Sequence, residues 1–210
     1  MKAVDRIVEN STAFLVHALL RPKVYCVDSS RQGNVISEPS IVVCNHTSHL
    51  DGPVVNTVFR KSRIHSLAAK DRFEQKGFGF FLRHTGCIPI DRKNADTSWV
   101  HQALKTLRQD KENVAIYPEG QHGQHRQQLP FHTGVTMLTA LAQVPIVMVY
   151  IDGPHRLFHR SKLIIAPPFR LDAPTSGINL DYIESQTRML EKRMKELMEE
   201  FIRIDSERNR

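Results

Sequence analysis

Ile41-Val42-Val43-Cys44-Asn45-His46-Thr47-Ser48-His49-Leu50-Asp51-Gly52-Pro53 is the stretch that decides the fold. A short apolar, β-branched run leads directly into polar residues, and Gly52-Pro53 then offers a helix start, since proline is accommodated in a first helical turn. A helix is therefore expected to begin near residues 51 to 54. His46 and Asp51 stand five positions apart across this junction. On a continuous helix they would point about 140° apart, because each residue turns roughly 100°. A bend between strand and helix brings them within reach of each other. A carboxylate bonded to one ring nitrogen fixes the histidine tautomer and leaves the other nitrogen free to take a proton, as a general base requires. The same spacing taken alone also suits a helix N-cap at Thr47, Ser48 or Asp51 beside a surface histidine.

Working outward, β-rich runs at 23–28, 40–45, 64–69, 87–91, 113–117, 145–151 and 162–167 alternate with helical patterns at 53–61, 72–84, 96–109 and 134–142. This alternation predicts an α/β fold with a mostly parallel central sheet flanked by helices. Asp96 is the expected cap of the third helix, whose Trp99, Ala103, Leu104 and Leu107 share a face. Residues 1–22 form an amphipathic helical segment whose apolar side suits either core packing or a bilayer surface. A long C-terminal helix packing on the body is expected over 179–204, with Ile183, Met189, Leu190, Met194, Leu197, Met198 and Phe201 apolar amid dense charge. The whole of 1–210 reads as one domain, with 23–178 as its α/β core.

Composition narrows the class of function. The longest uninterrupted apolar run, Val144 to Ile151, contains Pro145 and is far shorter than the ~20 residues of a membrane-spanning helix. Asp5, Arg6, Glu9 and Asn10 break up any secretory signal, so a cytoplasmic location is expected. The three cysteines, Cys26, Cys44 and Cys87, are widely spaced in apolar runs and read as buried thiols rather than a disulfide frame. The net charge of +7 is concentrated in residues 1–105, which hold 15 Lys and Arg against 9 Asp and Glu. A basic face attracts anionic headgroups or phosphorylated co-substrates, and without a Lys/Arg block or an RNA-binding signature, nucleic acid is not the expected partner.

Three further blocks follow in order: Gly86-Cys87-Ile88-Pro89-Ile90-Asp91-Arg92, Tyr117-Pro118-Glu119-Gly120, and Val144-Pro145-Ile146-Val147. Together with residues 45–51, and with Leu129-Pro130-Phe131 and Gly134 after the third block, they resemble the four blocks of the glycerolipid acyltransferase family, which includes the 1-acylglycerol-3-phosphate acyltransferases. The resemblance runs from about residue 23 to 170. It implies transfer of an acyl chain from acyl-CoA or acyl-carrier protein to the free hydroxyl of a lysophospholipid, at the cytoplasmic face of a membrane, with no cofactor and no metal. By the same resemblance His46 is the base and Asp51 its orienting carboxylate, and Gly86, Glu119 and Gly120 shape the acceptor side. Lys70 and Arg92 are similar to basic positions used around the acceptor phosphate.

One departure bears on that phosphate. Where the family commonly continues the third block with Thr-Arg, this chain has Gln121-His122. A guanidinium is permanently charged and fork-shaped, whereas histidine is only partly protonated at pH 7. His122 or Arg126 is then expected to assist Lys70 and Arg92. Two other classes are compatible with the residues alone: a catalytically silent lipid-binding protein, and a metal-dependent hydrolase using His46-x-x-His49 and His122-x-x-His125.

Overall fold

The computed structural model describes residues 3–28, 34–91, 94, 96–174 and 177–208. Seven strands form one sheet: β1 (Lys23–Cys26), β2 (Ile41–Cys44), β3 (Ile64–Ala69), β4 (Ile88–Ile90), β5 (Asn113–Ile116), β6 (Ile146–Asp152) and β7 (Lys162–Ile165). Their order is β1-β7-β6-β2-β5-β3-β4. Every neighbouring pair is parallel except β6 and β7. The helices are α1 (Ala3–Leu19), α2 (Asp51–Val58), α3 (Phe78–His84), α4 (Ser98–Arg108), α5 (Gly134–Ala142) and α6 (Leu180–Arg208), with a 3-10 turn at Lys70–Glu74.

β2 lies at the centre, between β5 and β6, and all four of its side chains are buried. Strand side chains alternate between faces. Ile41 and Val43 therefore join a core built with α4, α5 and α6, while Val42 and Cys44 join a second core built with α1 and α2. This two-sided burial explains why the strand reads as an unbroken apolar run. On the first face, Leu190, Met194, Leu197 and Phe201 of α6 are all buried. The far end of α6 is tied to the sheet by Asp205, which accepts hydrogen bonds from Tyr25 Oη and Lys162 Nζ, both at 2.6 Å.

The elements differ from the sequence reading in detail. α2 starts at Asp51, and α6 runs on to Arg208. The single helix expected over 72–84 is two pieces, because Gly77 takes φ = 77°, outside the helical range, and separates the 3-10 turn from α3. The N-cap of α4 is Thr97, which makes no side-chain cap bond, and not Asp96 as expected; Asp96 stands one residue earlier, where its carboxylate accepts from the Ser98 amide at 2.8 Å and the Ser98 hydroxyl at 2.7 Å.

α1 is amphipathic in an inverted sense. At roughly 100° per residue, Val4, Ile7, Phe14 and Leu15 fall on one stripe about 100° wide. That stripe faces outward, with Ile7 64% and Phe14 71% exposed. The inward side carries Asp5, Glu9 and Thr12 around the buried Val16. His84 Nδ1 meets Asp5 Oδ1 at 2.9 Å and ties α3 to α1. Among the described residues, no helix is long and apolar enough to cross a membrane.

Candidate active site

The carboxyl ends of β2, β3 and β5 open onto one crevice, where ligands bind in open α/β sheets. The chain leaves β2 through Asn45, whose side chain is buried. Asn45 Nδ2 donates to the Ile151 carbonyl at 3.0 Å, and its Oδ1 accepts from the Ile151 amide at 2.7 Å. These two bonds clamp the end of β2 to β6 and turn the next residue out of the sheet. The Gly123 amide then donates to the His46 carbonyl at 2.8 Å.

Asp51, in the first turn of α2, is fully buried and bends back over the turn. Its Oδ2 lies 2.8 Å from His46 Nδ1 and accepts from the amides of Thr47 at 2.6 Å and Ser48 at 2.9 Å. Its Oδ1 accepts from the Thr47 hydroxyl at 2.9 Å and lies 2.9 Å from His155 Nε2. Burial alone would raise the Asp51 pKa. Hydrogen bonds from His155, His46 and the Ser48 amide outweigh it and hold the carboxyl well below the usual range. Asp51 is thus ionised at neutral pH, and an acceptor-only carboxylate obliges His46 to carry its proton on Nδ1. His46 Nε2 has no hydrogen-bond partner among the described residues.

His46 borders a cavity of about 370 Å³, shared with His49, Ser66, Arg72, Phe78, Phe81, Cys87, Tyr117, Gly120 and His122. Three imidazoles converge at its mouth: the His46 and His122 ring centroids are 4.2 Å apart, and those of His49 and His122 are 4.5 Å apart. Burial first, then neighbouring positive charge, lowers the pKa of both His49 and His122, so neither is a dependable cation at pH 7. Arg72 supplies the permanent charge on this wall, and its guanidinium has no carboxylate partner among the described residues. The Tyr117 ring sits 4.6 Å from that of His46, and the buried hydroxyls of Tyr117 and Ser66 make no hydrogen bond of good geometry among the described residues. Burial pushes the Cys87 thiol up, away from the thiolate.

The structure brings together only some of the residues singled out by sequence. His46, Gly120 and His122 line the cavity, and Asp51 stands directly behind His46. Glu119 is buried beneath the His46 backbone instead of facing the cavity. Its pKa is pushed up to about 7, first by burial and further by the Asp51 charge, while the amides of His46 and Leu129 pull it down. Lys70 is at the rim, 61% exposed, with its Nζ 3.4 Å from Asp91. Gly86 lies outside the cavity wall, its carbonyl 2.7 Å from His65 Nδ1. Arg126 points elsewhere, to Asp152 at 3.1 Å. His125 is turned to the Gly153 carbonyl, so His122 and His125 do not converge. Arg92 lies outside the described residues. Sequence reasoning passed over Asn45, Arg72 and His155. Asn45 and Arg72 sit within or two residues after quoted positions; His155 carries no local signal, since it reaches Asp51 from 104 residues away.

Comparison with known proteins gives the family. A family model described as Acyltransferase matches residues 22–152. The chain belongs to that family, and the class of enzyme is therefore an acyltransferase. A 1-acyl-sn-glycerol-3-phosphate acyltransferase of Bacillus subtilis is 26% identical over 162 residues, covering 75% of this chain and 80% of the relative. The human 1-acyl-sn-glycerol-3-phosphate acyltransferase beta is 32% identical over 128 residues, covering 60% of this chain and 46% of the relative. The chain thus spans most of that bacterial relative and about half of the human one. The crystal structure of the 1-acyl-sn-glycerophosphate (LPA) acyltransferase PlsC from Thermotoga maritima superposes with a TM-score of 0.63, covering 94% of this chain and 77% of that one. At 17% identity, that likeness shows the shared fold.

Proposed function

We propose that the protein moves a fatty acyl group from a thioester, acyl-CoA or acyl-carrier protein, to the free hydroxyl of 1-acylglycerol-3-phosphate. One observation carries this reading: His46 is held through Nδ1 by a buried, ionised Asp51 at 2.8 Å, at the wall of a cavity of about 370 Å³, with Nε2 unpartnered. The relatives it matches, which are 1-acyl-sn-glycerol-3-phosphate acyltransferases, favour that acceptor.

His46 Nε2 removes the acceptor's hydroxyl proton as the oxygen bonds to the thioester carbonyl carbon. General-base assistance of this kind contributes about 10²- to 10⁴-fold. Collapse of the tetrahedral intermediate breaks the C–S bond, and the proton held by His46 passes to the departing sulfur, giving an ester and a free thiol. Asp51 stays ionised throughout and stabilises the imidazolium. The thioester is already activated, and Cys87, a protonated and only partly exposed thiol, is not required as a nucleophile. The hydroxyls of Tyr117 and Ser66, without a well-formed hydrogen bond among the described residues, offer donors to substrate oxygen.

Arg72 binds the acceptor phosphate from the cavity wall, taking the place of the arginine that the loop after β5 lacks, while neutral His122 and His49 offer hydrogen bonds. Lys70 adds charge at the rim, and Gly120 leaves the wall open beside His122. The outward apolar stripe of α1, continued by Phe80 at 49% exposure on α3, rests on the bilayer that supplies the acceptor.

The test is product identification by mass spectrometry, with purified protein, acyl-CoA or acyl-carrier-protein donors, and lysolipids with and without a terminal phosphate. Diacylglycerol-3-phosphate formed in preference to every other product supports the reading. Equal acylation of phosphate-free lysolipids would remove the assigned acceptor.

A further inference from the structure

We infer that His155 is a positioning residue: a neutral imidazole that holds Asp51 from the side away from His46 and thereby keeps the base in its working tautomer. For its kinetic consequence the inference rests on the acyl-transfer reading above; its structural content does not.

Asp51 is the only buried carboxylate in contact with two histidines among the described residues, each at a different oxygen. His155 approaches Oδ1 to 2.9 Å, its side chain 0% exposed, in a direction oblique to the ring N–H. Its other nitrogen, Nδ1, lies 2.7 Å from the Ser161 hydroxyl. An ionised carboxylate only accepts, so His155 carries a proton on Nε2, and in the neutral form inferred here Nδ1 accepts from the Ser161 hydroxyl. The loop after β6 reaches this depth because residue 153 is glycine: a Cβ there would overlap Thr47 Oγ1 and Cβ. Thr47 is itself a donor to the same Asp51 oxygen. His155, Ser161 and Gly153 thus form a support for Asp51 that never touches the cavity.

The consequence follows from how Asp51 is held. With a second donor on Oδ1, the carboxylate is stabilised as an anion and fixed in orientation, which leaves Oδ2 aimed at His46 Nδ1. Without it, the carboxylate becomes a stronger and less directed acceptor, and the imidazolium of His46 is favoured over the free base. The charged and titratable groups facing His46 are Asp51 on α2, His122 and Tyr117 from the segment after β5, His49, Arg72 across the cavity, and Glu119 beneath its backbone. None of these contacts His155 except Asp51.

The experiment compares wild type, His155→Leu, which removes the donor, and His155→Gln, which can keep an N–H near the same place. In wild type, ¹⁵N-imidazole spectra should show His155 as the neutral Nε2–H tautomer and His46 as Nδ1–H. In His155→Leu the His46 imidazolium should persist to higher pH than in wild type. The kcat should fall roughly tenfold to hundredfold, as for the loss of one hydrogen bond to a charged group. The acceptor KM should stay within twofold, and the acidic limb of the pH–rate profile should move to higher pH. His155→Gln should recover most of the loss. Should His155→Leu not fold, Ser161→Ala replaces it, with a several-fold loss in kcat and the same movement of the limb expected. A charged or Nδ1–H His155, an unchanged kcat in the donor-less variant, or equal losses in both variants with an unmoved limb would each overturn the inference. Absence of acyl transfer by wild type would count against the acyl-transfer reading instead, and the spectra would still decide the tautomers.

Discussion

The Asn45 side chain and the Ile151 backbone exchange two hydrogen bonds, at 3.0 and 2.7 Å, where β2 ends beside β6. This pair sets the point at which the chain turns away from the sheet, and His46 is the next residue. Asn45→Ala leaves the buried Ile151 amide unpaired, at about 1–3 kcal/mol, while the Ile151 carbonyl keeps the Gly153 amide at 3.1 Å. Denaturant titration should show a loss of roughly 1–3 kcal/mol in stability, and the folded fraction should have lower kcat because His46 is no longer held. A change below ~0.5 kcal/mol would mean that the clamp is redundant.

Arg72 is assigned the acceptor phosphate on position and charge alone. Arg72→Leu should raise the acceptor KM about tenfold to hundredfold, the cost of one or two charge-assisted hydrogen bonds of ~1.5–3 kcal/mol, with little change in kcat. Lysolipids without a terminal phosphate should show no such change. Steady-state kinetics with both acceptor types separates lost phosphate recognition from general damage.

The outward stripe of α1 predicts a surface variant with a selective defect. Ile7→Glu with Phe14→Glu removes two large apolar contacts from an exposed face, so thermal stability should stay within a few degrees of wild type. Binding to anionic lipid vesicles in a flotation assay should be lost, with transfer to a monomerically dispersed acceptor retained. Equal vesicle binding by the variant would remove α1 from the membrane contact.

Glu119 makes stability fall with pH across a defined window. Its folded pKa, about 7, lies above its ordinary value of 4.5. Both states bind the proton below 4.5; between there and 7 only the folded protein keeps it, so the folded form loses ground as pH rises. Glu119→Gln cannot ionise. The stability of wild type relative to this variant should therefore be greater at pH 5 than at pH 8, as measured by denaturant midpoints at the two values. Asp51 acts in the opposite sense: its depressed pKa gives stability that is present above about pH 4 and lost below it.

Much of this architecture was legible because its signals are local. The run from Ile41 to Cys44 is apolar at every position since both faces of β2 are covered, and α5 falls at 134–142 as its pattern indicates. The bend at 45–51 was legible for a similar reason: the His46–Asp51 contact closes within one turn. What stayed hidden depends on distant chain. The inverted face of α1 could not be read, because periodicity shows that a stripe exists and not which way it turns. Arg126 looked like a cation for the site until Asp152, 26 residues on, claimed it. Glu119 sits under the His46 backbone, a placement fixed by how the loop from 120 to 128 folds back.

The central claim is that His46 is the base for acyl transfer. Its most direct measurement is the rate of free-thiol release from acyl-CoA by wild type and His46→Ala, with and without 1-acylglycerol-3-phosphate. Acceptor-dependent release by wild type and a loss of at least ~10²-fold in the folded variant are expected. Release that is unchanged by the substitution would contradict it.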